Sequence, residues 1–145
     1  EAALQGADGR GFGTVSFVQG PGGIHLTADL QDLPPGIHAF HFHATGSCSP
    51  DFKAAGGHLN PTGKKHGFMN ADGPHLGDMP NIHVPDSGKL QFELFLTGIA
   101  IGEGSNPLLD ADGTTVMIHK DADDYKSDPA GAAGDRIACG VIKGK

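Results

Sequence analysis

The sequence predicts an all-β protein, an antiparallel sandwich or barrel of short strands with two long loops. Glycine accounts for 24 of the 145 residues and proline for ten, which favours short elements joined by many turns. Segments of alternating apolar and polar residues recur about every 10–12 residues, as in antiparallel sandwiches. Two polar segments, residues 44–80 and 120–136, lack any periodicity and are the predicted loops. We expect one domain over residues 1–145, because this length can bury one hydrophobic core.

The first two predicted strands lie on either side of a strong breaker. Residues 12–19 are rich in β-forming residues, and the Gly-Pro-Gly-Gly run at 20–23 ends them. Residues 24–30 then alternate strictly, until the Leu-Pro-Pro-Gly run at 33–36 stops the pattern. This pattern predicts two strands separated by a chain-breaking segment.

The next segment, residues 36–43 (GIHAFHFH), is named here the histidine strand. Side chains of a strand alternate between its faces. One face therefore carries Ile37, Ala39, His41 and His43, and the other carries His38, Phe40 and Phe42. Two imidazoles two residues apart can reach a common point, while the phenylalanines opposite can anchor the strand in a core. We therefore predict that His41 and His43 bind a metal.

Three later segments complete the predicted strands, at residues 90–101, 114–119 and 137–142. Between them, Asp110-Ala-Asp-Gly113 superficially resembles the start of an EF-hand. Its glycine is out of place and the remaining ligand positions do not follow, so a calcium site is rejected.

Charge and composition exclude several classes of partner. The net charge is −7 and no Lys/Arg run is present, so neither nucleic acid nor an anionic membrane surface is an expected partner. No run of about 18 apolar residues predicts a transmembrane helix. The sequence opens at Glu1 without a basic-then-apolar start, which fits a mature protein without its signal peptide, or a trimmed chain.

The two cysteines, Cys48 and Cys139, leave two interpretations open. They could be buried thiols of an intracellular protein. They could equally form one long-range disulfide, which implies an oxidising compartment and is worth roughly 4–5 kcal/mol in the chain-entropy model. They show no CxxC spacing, so neither a redox motif nor a zinc knuckle is expected.

Further metal ligands lie in the first long loop, which contains His58, His66, His75 and Asp78. Three imidazoles and one carboxylate suit a closed tetrahedral zinc site. By contrast, His41, His43 and His119 come from strands or strand ends, and a nitrogen-only set suits copper. Spacing alone does not divide the histidines between the two groups, and one of them could serve both.

Other polar residues have simpler interpretations. We expect His25 and His83 to be solvated, and His38 to be a core histidine with a structural hydrogen bond, since it shares a face with two phenylalanines. From composition alone, the ordinary interpretation of Asp123, Asp124 and Arg136 is that of solvated surface charges.

Six motifs occur in order along nearly the whole chain. They are residues 36–43 (GIHAFHFH), 55–61 (AGGHLNP), 65–67 (KHG), 75–81 (HLGDMPN), 119–124 (HKDADD) and 134–142 (GDRIACGVI). Together they resemble a copper/zinc superoxide dismutase of the bacterial type. The resemblance implies a Greek-key antiparallel β-sandwich or flattened barrel with two long functional loops. It also implies dismutation of superoxide to O₂ and H₂O₂ by a redox-cycling copper next to a structural zinc.

The resemblance also implies a role for each matching residue. Copper would be bound by His41, His43, His58 and His119. Zinc would be bound by His58, His66, His75 and Asp78. His58 would bridge the metals and relay a proton, and Asp123 would link a copper histidine, His41, to a zinc histidine, His66. Arg136 would guide the anion, and Cys48 and Cys139 would form a disulfide, which implies an extracytoplasmic (periplasmic, secreted or envelope-associated) protein.

The sequence departs from the family pattern at positions outside the ligands. Ala39 replaces a usual glycine, Ala130 replaces the threonine of animal members, and Asp135 stands beside Arg136; the last two could weaken anion attraction. The segment from residue 49 to residue 58 resembles forms from Gram-positive bacteria, and a monomer and a homodimer are both compatible with it. Two rival classes are a non-catalytic copper- or zinc-binding relative, which typically lacks a copper ligand, and a structural sandwich with surface histidines.

Overall fold

The computed structural model describes residues 1–144, which form an all-β fold with one short 3₁₀ helix. The strands are β1 (Ala2–Gln5), β2 (Gly11–Gly20), β3 (Gly23–Leu30), β4 (Gly36–His38), β5 (Phe40–His43), β6 (Ile82–Val84), β7 (Leu90–Leu96), β8 (Thr115–His119) and β9 (Arg136–Val141). The 3₁₀ helix spans Phe52–Ala55 in the first long loop. Within residues 1–144, no helix has the length and apolar character needed to cross a membrane.

The strands form one large sheet and one small one. Seven strands pair in the order β5-β8-β9-β1-β2-β3-β7, and β4 pairs with β6. Every ladder is antiparallel. The chain runs through β4, β5, β6 and β7, and then returns over residues 97–114 to place β8 beside β5. When β4 and β5 are counted as the two halves of one strand, β8 is the fourth strand and lies beside the first, which is the Greek-key connection; the predicted fold class is confirmed.

The histidine strand links the two sheets. It is divided at Ala39, whose N–H donates to Asp121 O at 2.9 Å and whose carbonyl accepts from His119 N at 3.0 Å. Its first half, β4, pairs with β6, and its second half, β5, pairs with β8. The prediction of one unbroken strand therefore needs this correction, although the alternation of side chains survives it.

One hydrophobic core fills the space between the layers. The ring of Phe42 on β5 packs 6.0 Å from Phe17 on β2, and the ring of Phe40 packs 5.5 Å from Phe92 on β7. These contacts anchor the histidine strand from its apolar side, as its pattern predicts.

Three further differences from the sequence prediction concern short or terminal segments. β1 is not predicted, because its four residues lack β-branched side chains; its burial alternates, with Ala2 and Leu4 inside. β6 has only three residues, too few for a periodic signal. The strand predicted over residues 90–101 ends at Leu96, shortly before Gly98, whose φ of +74° does not continue a strand.

Candidate metal centre

All four side chains of β5 are buried, and they divide between two environments. Phe40 and Phe42 belong to the hydrophobic core, whereas His41 and His43 lie with other histidines on the opposite side. The alternation predicted for this strand is therefore confirmed.

His38 does not join the other histidines of its strand. Its Nε2 lies 2.7 Å from the carbonyl oxygen of Pro34. Its Nδ1 faces the carbonyl oxygens of His119 at 3.0 Å and Lys120 at 2.8 Å. This buried imidazole is a structural hydrogen-bonding group, as its place beside the phenylalanines predicts.

The first donor cluster, named the four-nitrogen group, consists of His41, His43, His58 and His119. Each offers one ring nitrogen, and these atoms all lie within 4.8 Å of one another. All four residues are buried. The loop residue His58 reaches the strands through a β-bridge to His43, and the Nε2 atoms of His43 and His119 are 3.4 Å apart. The structure thus brings together one loop histidine and three from strands β5 and β8.

The outer nitrogens of three of these rings are held by hydrogen bonds. His43 Nδ1 donates to Gly56 O at 2.8 Å, and His119 Nδ1 donates to Gly134 O at 3.1 Å. His41 Nε2 donates to Asp123 Oδ2 at 2.7 Å. Such bonds fix the tautomer and orientation of metal-binding imidazoles. They leave an unprotonated nitrogen of each ring turned toward the group.

Two buried nitrogens in this group find no hydrogen-bond partner among the described residues, namely His41 Nδ1 and His58 Nε2. A buried polar atom without a partner costs about 1–3 kcal/mol. Two such acceptors beside two further imidazole nitrogens are well suited to a bound cation. Nitrogen donors of this kind suit copper, so the residues fit the metal expected from the sequence.

The second donor cluster, named the loop group, consists of His58, His66, His75 and Asp78. His58 Nδ1 lies 2.9 Å from Asp78 Oδ1 and 3.2 Å from the Nδ1 atoms of His66 and His75. Asp78 Oδ1 also lies 3.1 Å from His66 Nδ1 and 3.2 Å from His75 Nδ1. Zinc–nitrogen bonds of about 2.0–2.1 Å place tetrahedral ligands about 3.3 Å apart. The donor set and spacing therefore fit zinc.

A nitrogen of His41 also lies within 4.8 Å of donor atoms of His58, His66 and Asp78. Its Nε2, however, is engaged by Asp123, and its Nδ1 belongs to the four-nitrogen group. His75, at 3.2 Å from both His58 and Asp78, therefore completes the loop group better.

The carboxylate of Asp78 is oriented by the loop backbone. The N–H groups of Gly67 and His75 donate to its Oδ2 at 3.0 and 2.9 Å, which turns Oδ1 toward the imidazoles. Burial acts to raise the pKa of Asp78, but hydrogen bonds from His58, His66 and Gly67 hold it well below its usual range. The group therefore contains a permanent negative charge at neutral pH.

Burial and hydrogen bonds to carboxylates together divide the histidines by charge. Burial lowers the pKa of His43 to about 2 and that of His119 to about 4, with the positive charge of Arg136 and that of neighbouring histidines when protonated acting in the same direction. Burial likewise lowers the pKa of His58 to about 4. Burial opposes the charge on His66 too, yet its hydrogen bonds to Asp123 and Asp78 raise that pKa to about 9. His43, His58 and His119 thus offer free lone pairs at neutral pH, whereas His66 must release a proton to bind a metal.

Asp123 joins the two groups. Its Oδ2 accepts from His41 Nε2 and its Oδ1 accepts from His66 Nε2 at 2.8 Å. Gly131 (φ +73°) passes so close that a Cβ there would lie 2.0 Å from Asp123 Oδ1. The carboxylate thus lies between one histidine of each group, in a space that only a glycine leaves open.

Sequence reasoning missed two residues around Asp123, Asn81 and Tyr125. The Asn81 side chain accepts from Asp123 N at 2.8 Å and donates to Asp123 O at 3.0 Å. The Tyr125 N–H donates to Asp123 Oδ1 at 2.7 Å. Asn81 ends one of the motifs and Tyr125 is the sole tyrosine of the chain, but neither signal specifies a contact with Asp123.

Arg136 lies beside the four-nitrogen group at the start of β9, where it pairs with His119. Its Nη1 donates to the carbonyl oxygen of Phe52 at 2.7 Å. The Phe52 segment is tied to β9 by the Cys48–Cys139 disulfide, with a Cα–Cα distance of 6.0 Å. The predicted disulfide is confirmed, and it fixes the segment that orients Arg136.

The remaining polar residues singled out by sequence lie outside both groups. His25 is a half-buried histidine 3.1 Å from Glu93, and His83 is exposed on β6. Asp124 is exposed and accepts from the N–H groups of Lys126 and Ser127 at 2.8 Å, so it shapes its own turn.

Comparisons with known proteins agree with this geometry. The sequence profile of the copper/zinc superoxide dismutase (SODC) family matches residues 12–142. The chain is similar to superoxide dismutase [Cu-Zn] 1 of Aquifex aeolicus, with 46% identity over 93% of this chain and 82% of that protein. It is also similar to superoxide dismutase [Cu-Zn] of Caulobacter vibrioides, with 42% identity over 98% of this chain and 84% of that protein.

Two solved structures extend the comparison. The crystal structure of a SOD-like protein from Bacillus subtilis matches with a TM-score of 0.93 and 36% identity, over 98% of this chain and 97% of that one. Cu/Zn superoxide dismutase from Brucella abortus matches with a TM-score of 0.77 and 29% identity, over 98% and 97% of the two chains. By profile, sequence and fold, the chain belongs to the copper/zinc superoxide dismutase family.

Proposed function

We propose that this chain is an enzyme that converts two superoxide anions and two protons into O₂ and H₂O₂. One observation carries the proposal: His58 belongs to both donor groups through different nitrogens. Its Nδ1 lies 2.9 Å from Asp78 Oδ1 in the loop group, while its buried Nε2 is without a hydrogen-bond partner in the described protein. A single imidazole between a nitrogen-only group and a mixed nitrogen–oxygen group suits a paired copper and zinc site.

In this proposal the four-nitrogen group holds copper and the loop group holds zinc. Copper held there would supply a one-electron redox couple for the oxidation of one superoxide and the reduction of another, whereas zinc has no redox chemistry and would act structurally. The four-nitrogen group offers only neutral imidazole nitrogens, whereas the loop group adds the negative carboxylate of Asp78. The two groups therefore suit metals with different roles.

His58 carries a proton in this scheme. The Nε2 atom can accept one because no described protein group donates to it. Its Nδ1 remains directed at the loop group, so the ring keeps its position while Nε2 is protonated. Nε2 would carry this proton only while it does not bind a metal, and it would then supply one of the two protons of H₂O₂, with the other coming from solvent.

Arg136 binds and orients the anion. It lies opposite His119 in the β8–β9 ladder, and its guanidinium is held by the Phe52 carbonyl. A fixed cation beside a buried donor group attracts a small anion even in a protein of net charge −7. The partial burial of Arg136 limits screening by solvent.

We also propose an extracytoplasmic location, which the Cys48–Cys139 disulfide supports. Thiols in the bacterial cytosol are usually kept reduced, whereas disulfides persist in the periplasm or outside the cell. Fractionation of cells that express the native gene, followed by detection of the protein, tests this assignment.

The decisive experiment measures metal content and superoxide dismutation on the same preparation. One copper and one zinc per chain together with activity is the expected result. Zinc without copper and without activity would instead favour a non-catalytic metal-binding relative. Neither metal, with a melting temperature unchanged by chelators, would indicate a structural sandwich with surface histidines.

A further inference from the structure

Tyr125 is the only tyrosine of the chain. It makes four separate contacts, three with residues 68–81 in and just after the first long loop, and one with Asp123 of its own loop. Its hydroxyl accepts from Asn81 N at 2.9 Å, and its N–H donates to Asp123 Oδ1 at 2.7 Å. Its carbonyl accepts from Met69 N at 3.0 Å, and its ring packs 5.6 Å from the ring of Phe68. Together with Tyr125, the four residues that it contacts (Phe68, Met69, Asn81 and Asp123) are named the Tyr125 latch.

Where the two loops meet, the backbone φ angle is positive in both of them, at Tyr125 and at Gly67. Tyr125 has φ +64°, a left-handed conformation that is unfavourable for a residue with a large side chain. Opposite it, Gly67 has φ +106°, and a Cβ at Gly67 would lie 2.0 Å from Tyr125 O. The two loops therefore meet at a distance that only glycine allows, and their other contacts must outweigh the strain at Tyr125.

The contacts form a closed ring around Asp123. The Tyr125 hydroxyl fixes the backbone of Asn81, and the Asn81 side chain holds the backbone of Asp123 on both sides. The Tyr125 N–H then returns to Asp123 Oδ1, the same atom that accepts from His66 Nε2. A shift of Tyr125 would therefore move the carboxylate that orients His66.

We propose that Tyr125 is a positioning residue, which joins the two loops and thereby sets how tightly the loop group retains zinc. The inference rests on the metal assignment proposed above. It adds a determinant of metal retention that touches none of the donor atoms and acts only through Asp123 and the Phe68–Met69 segment.

The test uses the full zinc-loaded chain and measures the rate of zinc release to a chromogenic chelator. Partners that orient metal ligands typically change metal affinity about 10- to 100-fold, so we expect Y125A to accelerate release by that factor. Y125F removes only the hydroxyl, and we expect an increase of about 2- to 10-fold, the effect of one hydrogen bond. The matched control is F95A, an exposed aromatic on β7, with a change below about twofold.

A second readout comes from Tyr125 itself. Because the chain has one tyrosine and no tryptophan, its tyrosine fluorescence arises from the latch alone. Acrylamide should quench this emission less in the zinc-loaded chain than in the chelator-treated chain. F68A, which retains the fluorophore, should raise both the quenching and the rate of zinc release. If Y125A does not fold, Y125F and F68A together still decide the question.

The outcomes separate the latch from the proposed function. If the wild-type chain retains zinc and dismutates superoxide while all three latch variants release zinc within about twofold of its rate, only the latch is wrong. If the wild-type chain itself takes up no zinc, the metal assignment and the latch fail together. Faster release in Y125A and F68A, with melting temperatures well above that of the assay, supports the latch over general destabilisation.

Discussion

The two donor groups share His58 but are built from different kinds of structure. In the four-nitrogen group, His41, His43 and His119 lie on β5 and β8, which are paired in the large sheet. In the loop group, all the donors come from residues 58–78, where the described chain has no strand. The four-nitrogen group is therefore carried mainly by the paired strands, the framework of the fold. The loop group instead depends on the contacts that hold the first long loop in place.

The hydrogen bonds show the same contrast. Around the four-nitrogen group, the outer ring nitrogens of His43 and His119 donate to backbone carbonyls, which set their direction without a metal. In the loop group, four donor atoms instead face one another, and five of their pairs are 2.9–3.2 Å apart. The framework preorganises one site, while the other needs a cation to relieve the crowding of its own donors.

The largest effect is expected from H119A, which removes a framework ligand. Activity should fall by more than the roughly 100-fold that loss of an outer hydrogen-bond partner can cost. Zinc content should stay unchanged, because the loop group does not use His119. Metal analysis and a dismutation assay check both points, with H83A, at an exposed histidine on β6, as the control. Loss of zinc in H119A would mean that the two groups are not independently built.

D78A should act mainly on stability, because it removes the one carboxylate of the loop group. A ligand present at about 1,000 times its dissociation constant stabilises a protein by about 4 kcal/mol, so loss of zinc should lower the melting temperature by about 10 °C. D86A, at an exposed aspartate, is the control. Calorimetry with and without zinc gives the comparison. An equal melting temperature for D78A and the zinc-loaded wild type would contradict the role given to the loop group.

The pH dependence of the metal-free chain should have an acid limb, from the buried histidines of the four-nitrogen group, and an alkaline limb, from His66 of the loop group. The pKa of His119 is lowered to about 4, so the unfolded chain binds a proton near pH 6.5 that the folded chain does not. The free energy of unfolding should therefore fall as the pH drops from about 6.5 to 4. The pKa of His66 is raised to about 9, so its stabilisation is fully present below pH 6.5 and is lost as the pH rises through 9.

Urea unfolding at pH 4.5, 6.5 and 9 measures both limbs, each roughly 1.4 kcal/mol per unit of pKa shift. H66Q should remove the alkaline limb and spare the acid limb. Zinc should also remove the alkaline limb, because it replaces the proton on His66. A stability that rises steadily from pH 6.5 to 9 in the metal-free wild type would contradict the charge assigned to His66.

Arg136 separates anion attraction from metal binding. R136A should lower kcat/KM about tenfold and flatten its dependence on salt, because a steering charge acts through long-range attraction. Both metals should remain bound. R10A, at the other arginine of the chain, serves as the control, and R136K should restore part of the salt dependence. Equal rates at low and high salt in wild type and R136A alike would reject steering.

The smallest effect is expected at Lys120 and Lys126, which are exposed on the second loop. That loop also carries five aspartates, so the local field of each lysine is largely cancelled. K120Q and K126Q should each change kcat/KM by less than about twofold at physiological salt. A larger loss in either variant would extend the steering surface beyond Arg136.

Sequence reasoning succeeded where the relevant information is local. Alternation alone separated His41 and His43 from Phe40 and Phe42, because side chains of a strand must alternate. It also placed β2 and β3, whose patterns are long enough to be unambiguous. The resemblance to a family supplied the rest of both donor groups and the disulfide, which spacing left open.

Features set by contacts between distant segments were not predicted. The break at Ala39 depends on hydrogen bonds to Asp121 and His119, about 80 residues away. The Tyr125 latch likewise exists only because the two loops meet at Gly67. A segment such as β1, whose strand character comes from pairing with β2, carries no periodic signal of its own.

The burial of all four residues of β5 has a consequence for protein engineering. No side chain of this strand faces solvent, since two face the core and two face the four-nitrogen group. The hydrophobic core and the proposed copper site are therefore both attached to the same strand. Changing the volume of Phe40 or Phe42 would shift the backbone that carries His41 and His43. The visible spectrum of bound copper would therefore report on the packing of the core. A reduction potential could then be tuned from the hydrophobic side, with every ligand left in place.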